Sequence, residues 1–140
     1  MGYSVTQATW DRIRKEEGLR LKPYLDTVGK MTIGYGRNLA NKGISQVEAN
    51  YLFNNDIQEV IDDLVMHLDY WPTLKPKYQA VLVDLCFNLG IAGLLQFKNM
   101  LAAMCRGDDT IARASLLDSV AYKQEPNRLN ALAEIISKGE

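Results

Sequence analysis

Apolar positions recur along most of this chain at the three- and four-residue spacing of helices, and the pattern breaks in one short stretch near the front. Thr6 stands as a helix N-cap, and Val5 and Trp10 take the N′ and N4 places of a hydrophobic staple. Trp10 and Ile13 predict a buried stripe on this first helix, which Gly18 stops just after Glu17. From Leu19 to Leu39 the texture changes. Glycines at 29, 34 and 36 mingle with the strand formers Tyr24, Thr27, Thr32, Ile33 and Tyr35, predicting a small antiparallel hairpin or three short strands. Ser45-Gln46-Val47-Glu48 is a capping box. Behind it Leu52, Ile57, Val60, Ile61, Leu64, Val65 and Leu68 keep helical spacing, which predicts one long helix over about 46–68. Trp71-Pro72 ends that helix, and Tyr78, Val81, Leu82, Leu85 and Leu89 mark the next, closed by Gly90. Further helices are expected around 94–105, from Asp108 or Asp109 to about 117, and from Pro126 to Ile136. The sum is an α+β chain, mostly α, with its one small sheet set apart near the front.

Length and composition narrow the class. The 140 residues match one domain, and 47% hydrophobic with 24% charged residues excludes collagenous and largely disordered chains. No apolar run approaches the ~18 residues of a membrane span, so no stable membrane insertion is expected. A net charge of −1 argues against nucleic acid as the main partner. The balance is uneven, with eight Lys/Arg against five Asp/Glu in residues 1–50 and eight against twelve in 51–140. The basic front half suits an anionic polymer, although ordinary solvated charge explains it as well. The N-terminus lacks a basic start followed by an apolar stretch, so no signal peptide is expected. Cys86, inside an apolar run, reads as a buried free thiol. One histidine, His67, and two distant cysteines cannot build a zinc site, and no metal or other cofactor is expected.

The candidate chemistry lies between Glu17 and Gly36. A carboxylate at a helix end (Glu17), a second in the following turn (Asp26) and a threonine on the next strand (Thr32) can converge on one bond. Glycoside hydrolysis needs two such carboxyls: one protonates the leaving oxygen and the other works on the opposite face. Taken singly, Glu17 and Asp26 are ordinary solvated charges; only the joint pattern carries weight.

That pattern resembles the phage-type lysozymes, the endolysins of glycoside hydrolase family 24. Glu17-Gly18, a basic and aromatic stretch, Asp26-Thr27, Gly29 and Thr32-Ile33-Gly34-Tyr35-Gly36 stand in the family's order and spacing. The likeness continues through Leu52-Phe53-Asn54-Asn55-Asp56, Phe87-Asn88-Leu89-Gly90 and Pro126-Asn127-Arg128. The resemblance implies a single lysozyme domain over 1–140, with lobes at about 1–50 and 70–140 joined by the helix at about 46–68. The sheet would lie in the N-terminal lobe, the C-terminal lobe would be helical, and the polymer would run between them. It implies a muramidase that hydrolyses the β-1,4 bond between N-acetylmuramic acid and N-acetylglucosamine for phage lysis of a host. Glu17 then takes the place of the general acid, Asp26 and Thr32 position water or stabilise the developing cation, and inversion is expected. Arg128 matches an orienting arginine, and Asn38, Phe87 and Asn88 match substrate-binding positions, although core packing fits Phe87 equally well. Where the family often has histidine this chain has Arg37, for which an ion pair with Asp56 is expected. Further implications are a monomer, residence in the host cytoplasm until the membrane is permeabilised, and a holin for access to the wall. A lytic transglycosylase acting on the same bond and a non-catalytic wall-binding virion module are the alternatives.

Overall fold

The computed structural model describes residues 4–140; Met1, Gly2 and Tyr3, which belong to the stretch read above for a signal sequence, lie outside the described residues. Among the described residues the chain is mostly helical, with seven α-helices, one 3-10 turn and a three-stranded antiparallel sheet. It divides into two compact units, Met1–Asn50 and Tyr51–Glu140.

The first unit contains α1 (Gln7–Glu17), β1 (Arg20–Leu25), β2 (Met31–Gly34), β3 (Arg37–Asn38) and the start of α2 (Gln46–His67). Thr6 holds the N-cap place with extended backbone, but its hydroxyl caps nothing; the first turn closes through the Thr9 N–H on the Thr6 carbonyl at 3.0 Å. The expected buried stripe is also corrected. Trp10 and Ile13 remain 41% and 45% exposed, and no residue of α1 is buried. A fifty-residue unit encloses little surface, and Thr32 is its one buried side chain among the described residues. Gly18 ends α1 with φ 72°, a left-handed value that suits glycine, and its N–H reaches the Arg14 carbonyl at 2.8 Å.

The sheet runs β1-β2-β3 in order, with Tyr24 opposite Thr32 and Thr32 opposite Asn38. The β1–β2 register slips between Arg20 and Tyr24, where Pro23 has no N–H to give to the ladder. The capping box forms as read: the Ser45 N–H donates to Glu48 Oε1 at 2.8 Å, and the Glu48 N–H donates to Ser45 Oγ at 3.1 Å.

Arg37 pairs with Glu48, not with Asp56. Its Nη1 and Nη2 donate to the two Glu48 oxygens at 3.0 and 2.6 Å, and Nη1 also reaches the Gly43 carbonyl at 3.1 Å. The capping box has already fixed the Glu48 carboxylate at the start of α2, whereas Asp56 stands about 12 Å further along the helix axis. The Arg37 guanidinium, and after it the Ser45 bonds, hold the Glu48 carboxyl down at about 2. A depressed folded-state value means that this contribution to stability is complete above the ordinary carboxylate range. It is lost as pH falls from ~4.3 through about 2. In Arg37→Met, an NMR titration of the Glu48 side chain moves its midpoint up toward ~4.3, and the acid loss of stability across that window shrinks. An unmoved midpoint refutes the assignment.

The second unit holds the rest of α2, the 3-10 turn Trp71–Thr73, α3 (Pro76–Leu94), α4 (Lys98–Arg106), α5 (Asp109–Leu117), α6 (Val120–Gln124) and α7 (Pro126–Lys138). Apolar nearly all round, α3 buries Tyr78, Val81, Leu82, Leu85 and Cys86 in the core. The same buried cluster takes in Val60 and Leu64 of α2, Met100 and Met104 of α4, Leu116 of α5, and Leu129, Leu132 and Ile136 of α7. Each fully buried aliphatic side chain contributes roughly 1.5–3 kcal/mol, so this unit carries most of the hydrophobic stabilisation. Leu52 and Val65, which share the apolar spacing of α2, are 51% and 54% exposed. Gly90, with φ 75°, breaks α3 where the sequence places its end, yet helix resumes as far as Leu94. The buried Tyr78 hydroxyl donates to Asp109, which also accepts from Lys77 Nζ at 2.7 Å, while Lys77 reaches the Ile136 carbonyl at 2.6 Å. This network ties α3, α5 and α7 together and holds the Asp109 carboxyl below its ordinary value, chiefly through Lys77. The five-residue α6 is too short to show a period in the sequence; its signal is Ser119, whose Oγ accepts the Tyr122 N–H at 3.1 Å.

Candidate active site

Strand β2 and its two flanks organise the site residues of the first unit. Glu17 is the last residue of α1, and the turn at Gly18 sends the chain into β1 while the Glu17 side chain remains exposed. That side chain lies over Gly36, in the β2–β3 turn: a Cβ placed on Gly36 would meet Glu17 Oε2, with Cδ 3.1 Å away and Cγ 3.6 Å away.

Asp26 follows β1 directly. Its Oδ1 accepts the backbone N–H groups of Val28 at 3.0 Å and Lys30 at 2.8 Å. The turn is closed by Asp26 N–H to the Lys30 carbonyl at 2.9 Å and Gly29 N–H to the Asp26 carbonyl at 3.0 Å. One carboxylate oxygen is therefore spent on orientation. Thr32 sits on the central strand, buried, and its hydroxyl donates to the Lys30 carbonyl at 2.9 Å. Lys30 thus anchors both residues through its main chain, its N–H to Asp26 and its C=O to Thr32. With its proton engaged, the Thr32 hydroxyl can offer a ligand only lone pairs, and so acts as an acceptor. Asn38, opposite Thr32 on β3, accepts the Asn41 N–H on its Oδ1 at 3.0 Å, leaving its amide donors for other partners. Within this unit, among the described residues, neither Glu17 nor Asp26 forms an ion pair.

The remaining candidates belong to the second unit. Phe87 does not pack into the core; it is 40% exposed on α3, and its ring meets that of Phe53 with centroids 5.6 Å apart and a 54° tilt. Asn88 Nδ2 donates to Glu125 Oε2 at 2.8 Å. Arg128, in the first turn of α7, donates from Nε to Asp84 Oδ1 at 2.7 Å. The sequence signal for this partner is that Asp84 is the lone charge in the apolar run Val81–Phe87. Spacing does not reveal that Gly36 touches Glu17 or that Lys30 serves two side chains, since both depend on how the hairpin closes.

The profile of the phage lysozyme family matches residues 14–134. The chain is also similar to the pre-baseplate central spike protein Gp5 of Enterobacteria phage T4, at 31% identity over 157 aligned positions. That alignment covers 92% of this chain and 27% of the spike protein, so the chain spans about a quarter of that relative's length. The family match takes in Glu17, Asp26 and Thr32 at its front and Arg128 near its end, on a helical chain with one small antiparallel sheet; this chain belongs to the phage lysozyme family.

Proposed function

We propose that the chain is a peptidoglycan muramidase, a hydrolase of the β-1,4 bond between N-acetylmuramic acid and N-acetylglucosamine. The observation that carries this reading is the shared anchoring of Asp26 and Thr32 on Lys30, beside a Glu17 carboxyl that reaches the turn at the other end of the same strand. Glu17 gives its proton to the glycosidic oxygen as the bond to the anomeric carbon breaks. A water that donates one hydrogen to Asp26 Oδ2 and the other to Thr32 Oγ1 keeps a lone pair for the anomeric carbon. As the new C–O bond forms, Asp26 takes the water's proton. This is the inverting course, which requires ~6.5–9.5 Å between the carboxyls to admit the water. Arg128 is the orienting cation in this proposal, with Asp84 holding its Nε, and Asn38, Phe87 and Asn88 contact the glycan.

Product analysis tests the reaction class. A hydrolase releases muropeptides with a reducing N-acetylmuramic acid, and mass spectrometry of a digest in oxygen-18 water finds the label there. Unlabelled anhydro-muramic ends, one water lighter, instead identify a transglycosylase and reject the water-positioning roles of Asp26 and Thr32.

The likeness to a spike protein favours a second setting for the same chemistry, in which the muramidase is carried on a virion instead of accumulating in the host cytoplasm until a holin opens the membrane. Peptides of the chain in purified particles support the virion setting; their confinement to the soluble lysate supports the free endolysin.

A further inference from the structure

We propose that Gly36 is a positioning residue for the general acid: its missing side chain is the seat that sets where the Glu17 carboxyl stands. The inference rests on the reading of Glu17 as the acid and adds what holds it there. Gly36 has φ 74°, and the direction an L side chain would take from its Cα is filled by Glu17, whose Oε2, Cδ and Cγ crowd the place of a Cβ. Gly34, two residues earlier in the same hairpin, has nearly the same backbone, φ 70°, and open space where its Cβ would be. The two glycines therefore separate backbone freedom from contact with the acid. A methyl at Gly36 meets the far end of an exposed, flexible side chain, so the fold yields cheaply and the carboxyl swings away. Displacement of a catalytic group by about 1 Å costs up to ~10²-fold in rate.

The test compares Gly36→Ala, Gly34→Ala and Glu17→Gln with wild type on solubilised peptidoglycan. Both alanine variants carry the same left-handed strain and lose similar thermal stability. Gly36→Ala is expected to lower kcat by about tenfold or more with KM changed less than about threefold, while Gly34→Ala keeps kcat within about threefold of wild type. Equal losses of kcat in the two variants, or an undiminished kcat in Gly36→Ala, overturn the proposal. A measurement on wild type stands whether or not the variants fold. The Gly36 α-proton that points where a side chain would must show a nuclear Overhauser contact to the Glu17 γ-protons, and its absence also overturns the proposal. A fully active Glu17→Gln rejects the acid assignment itself, a failure distinct from a Gly36→Ala that retains full activity beside a dead Glu17→Gln.

Discussion

Glu17→Gln is expected to lower the clearing of purified peptidoglycan by about 10³–10⁴-fold, near the upper range for loss of the proposed general acid. The amide has the shape of the carboxyl and fits over Gly36 in the same way, so substrate contacts and packing survive; what disappears is the transferable proton. Glu17 is exposed and forms no ion pair within its unit, so the fold has little to lose from the exchange. The expected melting temperature stays within about 2 °C of wild type, equivalent to a few tenths of a kcal/mol. Turbidity loss and calorimetry on the same preparations check both halves. A variant that clears walls within about threefold of the wild-type rate removes Glu17 from the chemistry, because no general acid is worth so little.

Asp26→Asn and Asp26→Ala separate charge from architecture. Asparagine keeps an Oδ1 for the Val28 and Lys30 N–H groups, so the β1–β2 turn stays closed, but it cannot take a proton from water. The expected loss of activity is ~10²–10³-fold with little change in stability. Alanine loses the same activity and also leaves both N–H groups without their acceptor, a further cost of about 1–2 kcal/mol, softened by solvent access to an exposed turn. If Asp26→Asn stays active while Asp26→Ala fails, the residue is a turn former and the second carboxyl must be sought elsewhere. Activity assays and denaturant unfolding of the two variants together distinguish these cases.

Most helices were legible because their information is local. The Ser45–Glu48 box, the Asp108 cap whose side chain accepts the Ile111 N–H at 3.1 Å, and Pro126 at the head of α7 each act within four residues of themselves. The site was legible as a list of chemically apt residues in family order, and not as an arrangement. Arg37 had several carboxylates ahead of it, and the choice of Glu48 follows from a capping bond that removes that carboxylate's freedom. Trp10 and Ile13 have the spacing of a buried stripe, yet burial requires a core to face, and the small first unit offers little.

The order of the longer helices, the short antiparallel strands near the front, the apolar character of α3 and the candidates Glu17, Asp26 and Thr32 were determined by the sequence itself, since periodicity, caps and motif spacing are properties of neighbours along the chain. Only the tertiary structure decided that Gly36 seats Glu17 and that Asp84 takes Arg128. Each of those pairings depends on hydrogen-bond or contact distances of a few ångströms between chain segments, and closure of the hairpin or packing of helices sets such distances, which no spacing along the chain encodes.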